Sequence, residues 1–340
     1  MNTILVYDLN SSGHRASYLS LTCRLLGGQP LIGSIYKTFF KLMKADGLIF
    51  TTCDGRMLDF FLISILRAAL GKKTAGIAIR PEVCLDTTRK KLKIKAILFK
   101  TLKKLEKVKT LSILPFTIES RLESLVDDWI LDPQYWDLNK SKINSSIPPT
   151  QINELVDIQA SKDNRLIIAS LGKQVKSKGS DYLCNLVINN PKLSEKYIVV
   201  LAGKCDGIDQ CLLEQFEKAG GVLVNRYLSD DELESSYQLV DLIWCCYTPE
   251  YNQSSGIFGR AIQNNKNTIV RASSYLEEMQ NKLYYNGIAL TLNNETNDAN
   301  ILLGYLGDEL IGLSSSLEIE KQEGRFVEIF KNFFFSNHVG

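Results

Sequence analysis

From about residue 163 onward the chain alternates short apolar runs with helical patterns six times in succession, and few folds admit that pattern. β-like runs fall at 165–170, 197–202, 222–225, 242–247, 267–271 and 287–292. Helical patterns fall between and after them, at 180–190, 209–219, 230–240, 255–264, 275–285 and 298–306. Strands that each lead into a helix pair in parallel through right-handed crossovers, which predicts an α/β doubly wound sheet covered on both faces. Ser229 stands three residues before Glu232, the spacing of a capping box, and so marks the start of the helix at 230. Ligands of such sheets sit at the carboxyl ends of the strands. The search for function therefore starts with the loops that follow them.

The first half repeats the alternation less regularly. Strands read at 4–7, 47–51, 74–79, 111–114 and 129–131, and helices at 14–26, 57–70 and 118–125. The pattern lapses after residue 132. KSKINSSIPPT (140–150) is polar with a proline pair, as a connection between domains would be, and 152–160 reads as a short helix. A chain of 340 residues predicts two domains of about 150 residues each. The expected boundaries are 1–150, a second Rossmann-like domain at 151–315, and a C-terminal segment at 316–340. That segment carries Ile319, Phe326, Ile329, Phe330 and Phe333 at helical spacing, and its apolar face must be buried somewhere, the first domain being one place.

A formal net charge of +2 argues against a nucleic-acid binder driven by overall charge. The first residues enter an apolar strand at once, without the basic, apolar and cleavage regions of a signal peptide. No apolar run reaches the roughly 18 residues of a membrane span. The eight cysteines form no C-x-x-C pair, and His14 and His338 are the only histidines. The expectation is reduced thiols in a cytoplasmic protein, with no zinc site.

Four loops at the predicted carboxyl edge of the second sheet carry candidate residues. After the first strand come Gly172, Lys173, Lys178 and Ser180. The glycine permits a turn, the two ammonium groups can clamp a pyrophosphate, and Ser180 is placed to cap the next helix. Gly203 ends the second strand, where a small residue lets a ligand approach. Tyr227 and Leu228 lie between the third strand and the capped helix, where backbone groups can hold a base edge. Ser254, Ser255 and Gly256 open a helix after the fourth strand, and unpaired N–H groups at a helix start attract anions.

In this order the residues resemble the nucleotide-sugar-binding half of retaining GT-B glycosyltransferases, group 1 or family 4-like. Lys173 and Lys178 match the basic pair of the family's pattern, G-[RK], several residues, then K-G, and 265–269 (NKNTI) falls on its "GKPVI". The resemblance implies two Rossmann-like domains facing a central cleft, with a nucleotide diphosphate sugar as donor substrate and no other cofactor. It also implies a metal-independent reaction, the lysines and helix dipole supplying the positive charge. The family's glutamate pair would fall on Asn252 and Arg260; Ser254-Ser255-Gly256 looks like the S-S-G variant of some relatives, with Glu250 the nearest substitute carboxylate. Arg260 either adds a cation to the diphosphate site or lies on the helix surface. In the first domain Gly13-His14-Arg15 resembles the "GHR" start of bacterial polysaccharide glycosyltransferases. There His14 would orient the donor sugar or acceptor hydroxyl, and Arg15 would meet a lipid-linked acceptor phosphate; otherwise they are a helix-capping histidine and a solvated arginine. Asp54 and Arg80 are further acceptor-side candidates.

From Arg89 to Lys109 the stretch RKKLKIKAILFKTLKKLEKVK holds ten basic residues and one acid, with apolar residues near helical spacing. Such a helix lies on an anionic membrane, or packs its stripe in the core with its lysines in water, and both can hold if the stripe faces the core and the lysines face lipid head groups. The expected protein is a peripheral enzyme on the cytoplasmic face of the plasma membrane. It transfers sugar to a lipid-linked or oligosaccharide acceptor in O-antigen or capsule type synthesis. The rivals are a nucleotide-sugar epimerase on the same fold and a catalytically silent GT-B binding subunit.

Overall fold

The computed structural model describes residues 3–10, 14–86, 88–137, 152–282, 287–306 and 316–335. The predicted connector at 140–150 and Gly13 lie outside them. The chain divides into two compact units, Met1–Asp137 with Ser316–Gly340, and Leu138–Ser315. Each is built on a six-stranded sheet whose strands all pair in parallel. The α/β doubly wound prediction holds for both.

In the first unit the described elements run β1 (Ile4–Asp8), α1 (His14–Leu26), β2 (Gln29–Ile32), α2 (Ile35–Lys44), β3 (Gly47–Phe50), α3 (Met57–Ala69), β4 (Lys73–Ala78), α4 (Lys90–Leu102), β5 (Val108–Ser112) and β6 (Asp128–Trp129). The strand order is β2-β1-β3-β4-β5-β6. Neither β2 nor α2 was expected from sequence. β2 is a largely exposed edge strand of four residues containing Pro30, which an edge tolerates because one side of it needs no N–H donor. α2 buries only Ile35, Thr38 and Leu42. The predicted strand at 111–114 begins earlier, at Val108, so the basic run 89–109 is one helix ending at Leu102 and then the start of a strand. Lys103 fixes that break, its Nζ donating to the Glu123 and Val126 carbonyls at 2.6 Å each. The predicted helix at 118–125 is a short 3-10 turn, Ser120–Ser124.

In the second unit the elements are α5 (Asn153–Ser161), β7 (Leu166–Leu171), α6 (Ser180–Asn189), α7 (Lys192–Lys196), β8 (Tyr197–Ala202), α8 (Gln210–Lys218), β9 (Val222–Val224), α9 (Asp230–Leu239), β10 (Leu242–Cys245), α10 (Gly256–Gln263), β11 (Asn267–Arg271), α11 (Tyr275–Lys282), β12 (Gly287–Leu290) and α12 (Glu295–Gly304). All six predicted strands are present, and α7 is an unpredicted short helix after Pro191. The order is β12-β11-β10-β7-β8-β9, so the winding reverses between β7 and β10. Trp244, Phe216, Leu183 and Leu201 are fully buried beneath the helices, each contributing about 2 kcal/mol of apolar burial.

The last helix, α13 (Ser316–Phe335), belongs to the first unit and packs on α1. Phe326 stands edge-on to Trp136 at 6.0 Å, and Arg325 pairs with Asp128 at 2.9 Å while lying over the Trp129 ring. No helix among the described residues is long and apolar enough to cross a membrane.

Candidate functional site

The strand reversal between β7 and β10 brings two loops together, the one after β7 and the one after β10. Ligands of doubly wound sheets bind at such a point, because the two crossovers leave in opposite directions and open a crevice. Gly172 turns the chain out of β7 at φ +80°. Gln174 then folds back, fully buried. Its Nε2 donates to the Ser170 and Gly172 carbonyls at 2.9 and 2.8 Å, and its Oε1 accepts from the Ser170 and Ser180 hydroxyls at 2.8 and 2.9 Å. Ser180 therefore does not cap α6, as its position had suggested; Gly179 stands at the cap in the left-handed conformation, and the serine hydroxyl is spent on Gln174.

The loop after β8 is zipped to the same segment. Gln174 N donates to the Lys204 carbonyl and Asp206 N to the Gln174 carbonyl, both at 2.9 Å. Gly203 sits at φ +141°, and a β-carbon there would stand 1.8 Å from the Gly172 carbonyl oxygen. The loop after β10 is tied in from the other side. Thr248 N donates to the Ser177 carbonyl at 3.1 Å, and Trp244 Nε1 to the Lys178 carbonyl at 3.2 Å.

These ties place Lys178 at the first turn of α10. A β-carbon on Gly172 would stand 3.6 Å from Ile257 Cδ1 and 3.8 Å from Lys178 Nζ, so the ammonium and a side chain from the first turn of α10 both lie close to this glycine. Among the described residues no carboxylate pairs with Lys178. Burial pushes its ammonium down, and the charge of Lys173 pushes the same way. Ser255 is the N-cap of α10, its Oγ accepting from Phe258 N at 3.4 Å and bonded to the Tyr247 hydroxyl at 2.9 Å. The N–H groups of Gly256 and Ile257 precede the first intrahelical bond and carry the positive end of the helix dipole. A half-buried cation that no carboxylate of the described residues answers, near the start of a helix, is suited to a multiply charged anion.

The other candidates of this unit are disposed differently. Lys173 is exposed and paired with Asp206 at 2.5 Å, which holds its ammonium up; the Tyr227 hydroxyl is close enough to act in the same direction. Tyr227 is 82 % exposed and Leu228 half-buried, beside Arg226, which pairs with Glu232 at 2.6 Å. That pair and the predicted capping box, which is present, hold the Glu232 carboxyl down at about 2. Arg260 lies in the last turn of α10 with its Nη1 on Gln263 Oε1 at 2.5 Å. Glu250 is exposed, its carboxyl held low first by Thr248 and more weakly by Arg271. Arg271, which nothing in the sequence distinguished, donates to the Tyr247 carbonyl at 2.9 Å and to Asn252 Oδ1 at 3.2 Å. Ser254 sits half-buried in the loop leading to the cap.

In the first unit, Arg15 binds the buried Asp8 at 3.1 Å, and Asp8 also accepts from Thr51 and Thr52 at 2.5 and 3.0 Å. His14 opens α1, its side chain outside the described residues. Asp54 accepts from Ile79 N and Arg80 N at 3.2 and 2.9 Å, a brace for the turn after β4. Arg80 is exposed, with Nε 3.9 Å from Glu82. The sequence drew no attention to Glu82. Among the described residues its Oε2 is buried without a hydrogen-bond partner, and burial pushes its carboxyl from an ordinary 4.5 up to about 7, against the weaker opposing pull of Arg80.

The unfolded chain releases the Glu82 proton near 4.5 and the folded chain near 7, so stability falls as pH rises between those values and levels off above them. Allowing for the partly exposed side chain, the penalty above pH 7 is about 2 kcal/mol. Glu82→Gln should therefore raise the denaturation midpoint at pH 8 and leave it nearly unchanged at pH 4. Equal shifts at both pH values would refute the assignment.

Among the described residues no cluster of three or more His, Cys, Asp or Glu side chains could hold a metal ion. The cysteines are all free thiols, five of them buried. No protein-family model and no curated protein matches the chain in sequence. Solved structures do match in shape. HepE from Anabaena, in complex with UDP, superposes with a TM-score of 0.66 over 97 % of this chain and 100 % of its own, at 9 % identity. A protein from Listeria monocytogenes assigned as a UDP-N-acetylglucosamine 2-epimerase gives 0.58 over 98 % and 96 %, also at 9 % identity. The UDP-forming α,α-trehalose-phosphate synthase of Burkholderia xenovorans, in complex with glucose-6-phosphate, gives 0.56 over 95 % and 79 %, at 9 % identity. These likenesses establish the GT-B fold.

Proposed function

We propose that this GT-B chain is a glycosyltransferase that takes a sugar from a nucleotide diphosphate sugar. The observation that carries the reading is the meeting of Gly172, Lys178 and the start of α10 at the strand reversal of the second unit. As the bond between sugar and diphosphate breaks, negative charge grows on the leaving group. A preorganised ammonium and two backbone N–H groups stabilise that charge more than they stabilise the intact donor, and this difference lowers the barrier. Lys173 and Tyr227, close to one another beside this loop, would meet the far phosphate and the base. HepE binds UDP on this fold, which supports a uridine nucleotide as the first donor to try. On the first unit Arg15, already oriented by Asp8, would present its remaining N–H groups to an acceptor phosphate. A retaining reaction on a lipid-linked or oligosaccharide acceptor of a bacterial surface polysaccharide, at the inner face of the plasma membrane, is the finer form of the proposal.

One observation favours a second reading, a nucleotide-sugar epimerase. The Listeria monocytogenes protein assigned as a UDP-N-acetylglucosamine 2-epimerase shares this fold. Incubation with radiolabelled nucleotide sugars, with and without lipid-linked saccharides, separates the two. Label passing into lipid supports transfer, and label passing between free nucleotide sugars supports epimerisation. Neither product from any donor would overturn both and leave the silent binding subunit.

A further inference from the structure

The first unit carries a broad apolar face in the open. α2, α3 and α4 follow successive crossovers and pack side by side, α2 on α3 and α3 on α4, whereas α1 packs with α13. α3 is apolar on both sides, burying Met57, Phe60 and Ile63 inward. Arg67 points inward and is fully buried, its guanidinium donating to Thr74 Oγ1 and to the carbonyls of Leu42, Ala45, Asp46 and Lys73. Leu58, Leu62 and Leu66, followed by Leu70 just beyond the helix, recur every four residues on the outward side. Tyr36 and Phe40 project in the same way from α2, and Ile94 and Ile97 from α4. Exposure within this set runs from 45 % at Leu66 to 85 % at Tyr36. Scattered apolar side chains on a surface are ordinary, but an outward stripe across three adjacent helices marks an interaction surface.

The charges flanking that stripe identify what covers it. α2 (IYKTFFKLMK) and α4 (KKLKIKAILFKTL) contain no acid, and Lys37, Lys41 and Lys44 on one side and Lys90, Lys91 and Lys93 on the other are exposed. The single acid of α3, Asp59, is paired with Arg56. A second copy seated on this face would bring like-charged flanks together, because a two-fold contact matches a patch with itself. A layer that is apolar inside and anionic at its surface fits both features.

We propose that the α2–α3–α4 face docks flat on an anionic lipid bilayer, the outward leucines and aromatic rings entering the acyl boundary and the lysines lying among the phosphates. The basic segment of α4 is then one edge of a wider surface, and the apolar contribution comes chiefly from α2 and α3. This inference does not depend on the nucleotide site, which belongs to the other unit.

Sedimentation of the full chain with vesicles tests it. Vesicles of phosphatidylcholine mixed with phosphatidylglycerol should carry the protein down, and vesicles of phosphatidylcholine alone should not. Leu62→Gln with Leu66→Gln should weaken binding by about tenfold or more, as should Lys37→Gln with Lys41→Gln and Lys93→Gln, the latter also flattening the salt dependence. UDP affinity, read by calorimetry, should be the same in both variants as in the native chain. Binding to neither kind of vesicle, or equal binding to both, would overturn the proposal. So would a concentration-dependent dimer that the leucine pair abolishes while vesicle binding persists.

Discussion

Gly203→Ala should destabilise the second unit by about 3 kcal/mol or more, and it should open the loop that carries Lys178 before the sheet itself melts. Two costs combine at this position. The backbone sits at φ +141°, where a side chain is strained whatever space surrounds it, and the added carbon would lie 1.8 Å from the Gly172 carbonyl oxygen. Neither neighbour can yield freely. Gly203 N is held by the Val224 carbonyl at 2.9 Å, and the Gly172 carbonyl by Gln174 Nε2 at 2.8 Å. Gly207 provides the control. It too has a positive φ, +71°, but nothing lies within 4 Å of its missing β-carbon. Gly207→Ala should cost only the left-handed penalty of about 1 kcal/mol. Urea denaturation followed by tryptophan fluorescence compares them, since Trp244 is buried in this unit. Equal losses at the two glycines would show that the packing of the two loops is not what holds Gly203.

The largest expected effect on binding is at Lys178. Its ammonium is removed from bulk water, and among the described residues it has no carboxylate partner. An anion placed beside it gains an attraction that water screens only partly, about 4 kcal/mol per charge at 4 Å in the dielectric typical of such sites. After desolvation, the net share of one charge-assisted hydrogen bond is about 2–3 kcal/mol. Lys178→Ala should therefore weaken UDP binding by about 100-fold, which takes a micromolar complex to about 0.1 mM. Lys173 is the internal comparison. Its charge is exposed and already answered by Asp206 at 2.5 Å, so Lys173→Ala should have much the smaller effect.

That contrast shows how far the sequence could be read. Lys173 and Lys178 flank the same turn and are equivalent as text; Asp206, more than thirty residues on in another loop, separates them. The capping box at Ser229 and Glu232 was legible because both partners lie within one turn of chain. Gln174 was not, because its side chain is satisfied by atoms of two strands and the next helix, which only the folded sheet assembles. The inner strands β7, β8 and β10 of the second unit could be read because they are buried on both faces and so nearly continuous in apolar residues. The edge strand β2 is short, exposed and interrupted by proline, so it lacked that signal. The run 57–70 was correctly expected to be helical, yet with apolar residues on both sides its periodicity does not say which side faces inward. The buried hydrogen bonds of Arg67 decide that, with the leucines left outside.

The account stands on a diphosphate held by Lys178 and the first turn of α10. Calorimetric titration of UDP into the native chain and into Lys178→Ala, each checked for an unchanged melting curve, tests it most directly. The account predicts saturable binding by the native chain and about 100-fold loss in the variant, with Lys173→Ala between them. UDP bound equally well by the native chain and by a folded Lys178→Ala would contradict it.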